Sequence, residues 1–130
     1  MNASLTVEID DELLNEILGC ARELHPRETI MLLRGKRKKE ALTVSELVIP
    51  PFATHGRGFA NIPLHMLPID FSIIGTVHSH PSGNFTPSDT DLNHFFGRVL
   101  MIVGSPYVDV NNVAVYDRNA KRLPLQIIKL

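Results

Sequence analysis

The stretch HSHPSGNFTPSDTD, residues 78–91, carries the strongest structural signal in this chain. It begins within a largely apolar segment, Phe71 to His80, that predicts a central β-strand. Alternate residues of a strand point to the same face, so His78 and His80 should present two imidazoles to one point in space. The following PSGNFTP is rich in turn-forming residues and predicts that the chain turns back sharply.

A helix is predicted directly after this turn, from Ser88 to Phe96, with Ser88 as its N-cap and Gly97 at its end. Asp91 would then lie in the first turn of the helix. Two neutral imidazoles and one carboxylate form a typical catalytic zinc set that leaves a fourth position for water. A His-x-His pair alone is weak evidence, and Ser88 with Asp91 would also serve as a purely structural helix start. Together, with the rigid Pro81 after the second histidine, these features favour a metal site.

The bulk composition predicts one globular domain, spanning residues 1–130. Hydrophobic residues make up 44% of the chain and charged residues 21%, which are ordinary values for a folded protein. The formal net charge is -1, so there is no general electrostatic attraction to nucleic acid or to an anionic membrane. We therefore expect neither a nucleic-acid partner nor a membrane partner.

The single cysteine, Cys20, excludes a disulfide within the chain and a metal site built from several cysteines. This usage fits a reducing compartment. The first residues show no basic segment followed by an apolar run, so we expect no signal peptide. No apolar stretch approaches the ~20 residues that a membrane-spanning helix needs. The expected location is the cytoplasm.

The first half of the chain predicts one long helix followed by two strands. Apolar residues recur at helical spacing from about Asp10 to His25, and Pro26 blocks continuation. Thr29 to Arg34 predicts a short buried strand and Ala41 to Ile49 a second one. The charged run between them, Gly35 to Glu40, predicts a solvated connection.

The second half predicts further strands. The stretch from Pro50 to Pro68 is loop-rich, with a candidate short strand near Gly58 to Ile62. Three more strands are predicted at Val99–Val103, Val113–Tyr116 and Leu123–Leu130, the last two joined by a hairpin turn at DRNAK. The outcome is an α/β domain with a central sheet and two main helices.

At residues 78–91 the sequence resembles the JAMM (MPN+) metallopeptidases, also known as JAB-domain proteins. Their pattern is His-x-His-Pro, six residues, then Ser-x-x-Asp, and the chain matches it without a gap. The resemblance covers nearly the whole chain and is closest to short archaeal and other prokaryotic members, deubiquitinase-like proteins of the desampylase type. It implies a single-domain MPN/JAMM fold, which is cytidine-deaminase-like, with a central mixed sheet flanked by helices.

The resemblance also implies a role for each site residue. His78, His80 and Asp91 would hold one catalytic Zn²⁺ per chain. The family uses an upstream glutamate between the first helix and the first strand, and HPRETIMLLRG, residues 25–35, points to Glu28 as the general base. The sequence alone could not have selected Glu28 among the glutamates nearby. Ser88 would stabilise the charge that develops on the scissile carbonyl.

The implied reaction is hydrolysis of the amide between the C-terminal glycine of a ubiquitin-like modifier and a lysine or peptide amine. Ubiquitin-like modifiers and their conjugates would then be the partners. The stretch from Thr54 to Ile62 is a candidate edge for binding the extended modifier tail.

Three alternatives stay open from the sequence. One is a peptidase that trims the C-terminus of a sulfur carrier of ubiquitin fold. Another is a RadC-like role linked to DNA, suggested by His-Pro-Ser-Gly at residues 80–83 but opposed by the mild charge. The last is a non-catalytic MPN scaffold, which the intact ligand set opposes.

Cys20 shares a helix face with apolar residues and is interpreted mainly as a buried small side chain. A disulfide across a homodimer is the alternative interpretation.

Overall fold

The computed structural model describes residues 5–49, 54–57, 59–61, 72–93 and 97–129. An eight-stranded mixed sheet forms the centre of the molecule, and a 14-residue helix packs on it. A separate three-stranded sheet stands beside it. This arrangement confirms the predicted α/β class with a central mixed sheet.

The elements follow one another in this order: β1 (Thr6–Asp10), α1 (Asp11–Leu24), β2 (Arg27–Glu28), β3 (Ile30–Arg37), β4 (Ala41–Val48), β5 (Thr54–Arg57), β6 (Phe59–Asn61), β7 (Ile73–His80), α2 (Asp89–Asn93), β8 (Val99–Gly104), a 3-10 turn (Val110–Asn112), β9 (Val113–Tyr116), β10 (Arg122–Leu123) and β11 (Leu125–Ile128). The strand order in the large sheet is β10-β9-β8-β7-β3-β4-β1-β11, and in the small sheet β2-β5-β6.

Helix α1 confirms the first predicted helix to within one residue at each end. The carboxylate of Asp10 accepts a hydrogen bond from the Glu12 N–H (3.1 Å) and caps the N-terminus. At the other end the His25 N–H donates to the Ala21 carbonyl (3.0 Å), directly before Pro26. The buried face, which packs against the large sheet, consists of Leu14, Ile17, Leu18 and Ala21.

Strand β1 was not among the predicted elements, although its sequence TVEID alternates apolar and polar residues. It pairs in parallel with both β4 and β11, so it lies inside the sheet. Val7 and Ile9 are fully buried in the main core as a result. The alternation was detectable in the sequence, but five residues give a short signal beside a long helix.

The predicted charged connection from Gly35 to Glu40 is too long. Strand β3 continues to Arg37, because Lys36 and Arg37 pair with β4 beyond a β-bulge at Arg34/Gly35. Exposed charged side chains are compatible with the solvated end of an antiparallel hairpin. Only the three residues after Arg37 therefore form the turn.

The predicted single strand from Leu123 to Leu130 is wrong because it is broken at Pro124. Leu123 belongs to β10 and Leu125 to β11, and these strands form opposite edges of the large sheet. Proline has no N–H to donate to a ladder, but its carbonyl accepts a hydrogen bond from the Val7 N–H (2.9 Å). The sheet is therefore curled, so that its two edge strands, β10 and β11, meet at Pro124.

The small sheet positions one candidate site residue. Strand β2, with Glu28 at its end, pairs antiparallel with β5, and β5 pairs with β6. Strand β6 confirms the short strand predicted near Gly58 to Ile62, although those two residues lie outside the described ones. Strand β5 occupies a stretch that was predicted as loop.

The two faces of the large sheet are covered differently. One face forms the main apolar core with α1. On the other, Leu100 and Ile102 pack against Phe85, Leu92 and Tyr116, which come from the loop before α2, from α2 and from β9. The described part of α2 covers Asp89–Asn93 of the predicted Ser88–Phe96, and residues 94–96 lie outside the described ones.

Gly97 has a φ of +94°, which favours glycine, but its predicted role as the end of α2 is not tested because residues 94–96 lie outside the described ones. No helix among the described residues combines the length and the apolar character needed to span a bilayer.

Cys20 is a free cysteine, half-buried against the main core. This agrees with a small side chain in the helix packing, and the disulfide across a homodimer stays a prediction.

Candidate metal centre

The central position of β7 places the two histidines. This strand pairs antiparallel with β3 and in parallel with β8, so neighbouring strands flank it on both sides. His78 stands between Ile30 and Ile102 in the register and is buried, whereas His80 lies at the end of the strand and is more open. Their imidazoles share one face of the sheet, as the spacing predicts.

Asp91 faces both histidines from the first turn of α2. Its Oδ1 lies 3.1 Å from His78 Nδ1, and its Oδ2 lies 2.9 Å from His80 Nε2. The side chain of Asp91 is buried. The structure thus brings together the three ligands predicted from residues 78–91.

Ser88 fixes the carboxylate by a reciprocal pair of hydrogen bonds. Its N–H donates to Asp91 Oδ2 (2.8 Å), and its hydroxyl oxygen accepts from the Asp91 N–H (3.1 Å). This is a capping interaction at the start of α2. The Ser88 side chain is exposed and retains its O–H proton for a second interaction. The capping role is therefore compatible with the predicted contact to a carbonyl.

Hydrogen bonds fix both the ring and the main chain of His80. His80 Nδ1 lies 2.6 Å from the Asn84 carbonyl oxygen, and the His80 carbonyl accepts from the Gly83 N–H (3.0 Å) and the Ser105 N–H (3.3 Å). Because a carbonyl only accepts, Nδ1 carries a proton, and Nε2 is the nitrogen that faces Asp91.

A second pair of hydrogen bonds, between Thr29 and Ser79, places the neighbouring Glu28 at the site. The Thr29 N–H donates to Ser79 Oγ (2.8 Å), and the Ser79 N–H donates to the Thr29 carbonyl (3.0 Å). These bonds continue the register in which Ile30 faces His78, so Glu28 comes opposite His80. Ser79 was not predicted as a site residue, and its only signal was a small hydroxyl between two histidines.

The site drives the pKa values of its two carboxyl groups apart. Burial acts to raise the pKa of Asp91, but hydrogen bonds from His80 and the Ser88 N–H, with the charges of both histidines, outweigh it and lower the pKa to about 2. The pKa of Glu28 is raised, mainly by burial, with His80 opposing and the Asp91 charge adding to the rise. Asp91 therefore remains a carboxylate at neutral pH, whereas the carboxyl group of Glu28 binds a proton more readily than an ordinary glutamate does.

His80 responds to the same surroundings. Burial acts to lower its pKa, but the hydrogen bonds with Asp91 and with the Asn84 carbonyl, followed by the charges of Asp91 and Glu28, outweigh burial and raise the pKa. The charge of Glu28 raises the pKa of His80, and the charge of Asp91 raises the pKa of Glu28, which is consistent with the place of Glu28 beside both residues.

The donor set fits a metal ion of the zinc type. Within the described part of the chain, no three His, Cys, Asp or Glu side chains are already spread around a cation position. Instead, the carboxylate of Asp91 contacts the two imidazoles directly. Two histidines and one aspartate have the chemistry of a catalytic zinc site with three protein ligands. The two histidines lie on one sheet face and the aspartate on the adjoining helix turn. A small movement of the carboxylate away from the imidazoles would make room for an ion between them.

The chain is similar to known proteins along nearly its whole length. The family model of prokaryotic homologs of the JAB domain matches residues 10–120. A relative from Haloferax volcanii, described as a probable metalloprotease, is 36% identical over 108 residues, covering 78% of this chain and 67% of the relative.

Two solved structures share the fold. The crystal structure of a JAB1/MPN domain protein from Archaeoglobus fulgidus is 34% identical, covers 94% of this chain and 99% of its own, and superposes with a TM-score of 0.69. A structure described as JAMM, a metalloprotease-like zinc site in the proteasome and signalosome, is 29% identical with a TM-score of 0.66, covering 97% and 99%.

A curled mixed sheet with this histidine and aspartate arrangement beside a glutamate defines a metalloprotease of the JAMM type. The chain belongs to the prokaryotic JAB-domain homologues of the JAMM/MPN family. This confirms the resemblance found in residues 78–91 and the MPN fold that it implied. The individual roles of Glu28, Ser88, His78, His80 and Asp91 stay predictions.

Proposed function

We propose that this chain is a zinc-dependent isopeptidase that hydrolyses the amide between the C-terminal glycine of a ubiquitin-like modifier and a lysine or peptide amine. The observation that supports it most is the convergence of Asp91 on His78 and His80, at 3.1 and 2.9 Å, with the protonatable Glu28 beside them. This combines a ligand set with a general base in one site.

His78, His80 and Asp91 would hold one zinc ion. When bound in such a set, zinc lowers the pKa of a coordinated water towards about 7 and polarises a carbonyl. The chain contributes the placement of the three ligands. The hydrogen bond to Asn84 orients the His80 ring, and the Ser88 N–H orients the Asp91 carboxylate.

Glu28 supplies the proton transfers. Its carboxylate accepts a proton from the attacking water, so that the water oxygen can bond to the carbonyl carbon. The protonated Glu28 then donates that proton to the departing amine as the C–N bond breaks. A raised pKa makes the Glu28 carboxylate a better proton acceptor, which suits the first step, and the departing amine is a stronger base that can take the proton back. No covalent intermediate with the enzyme is needed.

Ser88 is suited to contact the substrate carbonyl oxygen. Its hydroxyl oxygen is occupied by the Asp91 N–H, so the free O–H proton is available to donate towards developing negative charge. The exposure of this side chain leaves room for a substrate.

The stretch from Thr54 to Ile62 is our candidate for the substrate tail. Its described residues form β5 and β6, and β5 pairs with the strand that carries Glu28. Because β5 is paired on both sides, an extended tail would add to β6, at the edge of the small sheet opposite the strand that carries Glu28. Ubiquitin-like modifiers, whose C-terminal tails would bind in this extended form, are the proposed partners. We place the reaction in the cytoplasm, with no nucleic-acid or membrane partner.

A linear processing activity on a sulfur carrier of ubiquitin fold is the second candidate, because the same site would serve it. The test compares two substrates that share one ubiquitin-like modifier. One joins the modifier to a lysine side chain, and the other extends its C-terminus by a linear peptide. We expect zinc-loaded protein to cleave the lysine conjugate faster. Cleavage of the linear substrate alone would refute the isopeptidase proposal in favour of processing.

A further inference from the structure

The loop of residues 81–88, which we call the ligand loop, joins His80 to the helix that carries Asp91. Two consecutive carbonyl groups of this loop contact side chains that lie outside it. The Asn84 carbonyl lies 2.6 Å from His80 Nδ1, and the next carbonyl, that of Phe85, accepts a 2.6 Å hydrogen bond from the Tyr116 hydroxyl. The carbonyl that Tyr116 holds therefore belongs to the residue directly after the one whose carbonyl orients His80.

Tyr116 reaches the ligand loop from the other side of β8. It ends β9, where it pairs with Leu100 of β8, and β8 in turn pairs with β7. Its ring packs with Phe85 on Leu100 and Ile102. The hydroxyl therefore ties the loop to the rigid large sheet and not to another loop.

The fit of Phe85 against the sheet is tight. A Cβ atom added at Gly104 would come within 2.9 Å of the Phe85 ring and 3.2 Å of the Gly83 Cα. Gly104 faces His80 in the register of β7 and β8. The missing side chain at this position lets the ligand loop pack closely beside the histidine that it orients.

We propose that Tyr116 is a positioning residue of the metal centre, whose hydroxyl fixes the Phe85 carbonyl so that the adjoining Asn84 carbonyl holds the His80 ring. The proposal rests on the proposed function, in that His80 is taken as a metal ligand. Groups that orient a ligating histidine through its other ring nitrogen set both its tautomer and its direction.

The substitution Tyr116→Phe removes only the hydroxyl. The ring keeps its packing and its place under Arg122, whose guanidinium carbon lies 6.0 Å from the ring centre. Changes beyond the direct ligands typically weaken metal binding by about 10–100-fold, and we expect about tenfold here because Tyr116 acts through one further residue. The measurement is a zinc titration against a chromophoric chelator, at a temperature where both proteins are folded.

Tyr107→Phe is the matched control, since the chain has two tyrosines. Tyr107 is buried, and its hydroxyl lies 3.1 Å from His25 Nδ1, which belongs to the end of α1 and not to the ligand loop. Loss of this hydroxyl removes a partly buried hydrogen bond but should leave the zinc affinity within about twofold of wild type.

A second readout separates this proposal from the proposed function. Nitrogen-15 NMR of the histidine rings in the metal-free protein reports whether the Nδ1 proton of His80 stays hydrogen-bonded. We expect Tyr116→Phe to speed the solvent exchange of that proton and Tyr107→Phe to leave it unchanged. Unchanged exchange and unchanged zinc affinity in Tyr116→Phe would overturn the proposal. If wild type bound no zinc, the proposed function would fail, and the exchange rates would still decide the role of Tyr116.

Discussion

The two halves of the site are built in different ways. The ligand half consists of the proposed ligands His78, His80 and Asp91, and it comes from one stretch of 14 residues in which a strand, a turn and a helix start follow directly. The base half is the proposed general base Glu28, which comes from a short strand of the other sheet. It is held to the ligand half by the bonds between Thr29 and Ser79. A local motif can place ligands, but only the tertiary fold can place the base.

The electrostatics of the two halves differ as much as their construction. The Asp91 carboxylate has several hydrogen-bond donors, and its pKa falls to about 2. Glu28 is half-buried, and burial is the largest cause of its raised pKa. Two neighbouring carboxyl groups with opposite shifts are expected to have different roles. The difference favours Asp91 as the ligand and Glu28 as the base.

Breaking the ligand half should give the largest effect. His80→Ala removes an imidazole that contacts Asp91, so zinc affinity should fall by more than the roughly hundredfold that outer groups can cost. Metal content after dialysis, measured by atomic emission, checks this. His25→Ala is the control, since His25 contacts Tyr107 and should leave the zinc content unchanged. Full retention of zinc by His80→Ala would refute the ligand assignment.

Acid should also break the ligand half while Asp91 stays ionised. As the pH falls below the raised pKa of His80, protons compete increasingly with the metal for that ring. Asp91 with its pKa of about 2 remains a carboxylate at pH 4. Zinc occupancy should therefore be high near pH 7 and low near about pH 4, because the imidazoles protonate. Dialysis at stepped pH measures it, and constant occupancy across this range would contradict histidine ligation.

The link between the halves can be weakened alone. Ser79→Ala leaves the buried Thr29 N–H without its 2.8 Å acceptor, which should lower the free energy of unfolding by about 1–3 kcal/mol. Because Glu28 adjoins Thr29, kcat should also fall while zinc affinity is nearly kept. Ser45→Ala, at an exposed serine, is the matched control for urea unfolding. Equal stability of the two variants would show that the link is unimportant.

A change far from both halves should have the smallest effect. Burial, followed by the charges of Glu16 and Glu23, raises the pKa of the Cys20 thiol, so little reactive thiolate forms at neutral pH. We expect Cys20→Ala to keep zinc binding and turnover within about twofold of wild type. Non-reducing gels of the wild type should show a monomer band. A dimer band that disappears on reduction would instead support the disulfide between two copies.

The sequence predicted those features of the fold and the site that depend on residues close together in the chain. The ligand set follows from strand periodicity and a helix start, and α1 follows from its apolar spacing and its Asp10 cap. Glu28 needed the family resemblance, because no local pattern distinguishes it from other glutamates. The break at Pro124 depends on the curl of the whole sheet, which brings opposite edges together. Such pairings join residues far apart in sequence, so short windows do not contain them.

The most direct test of the account compares zinc-loaded wild type with Glu28→Gln on a ubiquitin-like modifier joined to a lysine, with zinc content measured in both samples. The amide of glutamine keeps the size of Glu28 but cannot take the proton. We expect equal zinc in the two proteins and a turnover lower by about 10²–10⁴-fold in the variant, which is the usual contribution of a general acid–base group. Comparable cleavage by Glu28→Gln, with zinc retained, would contradict the assignment of the base and the division of the site into two halves.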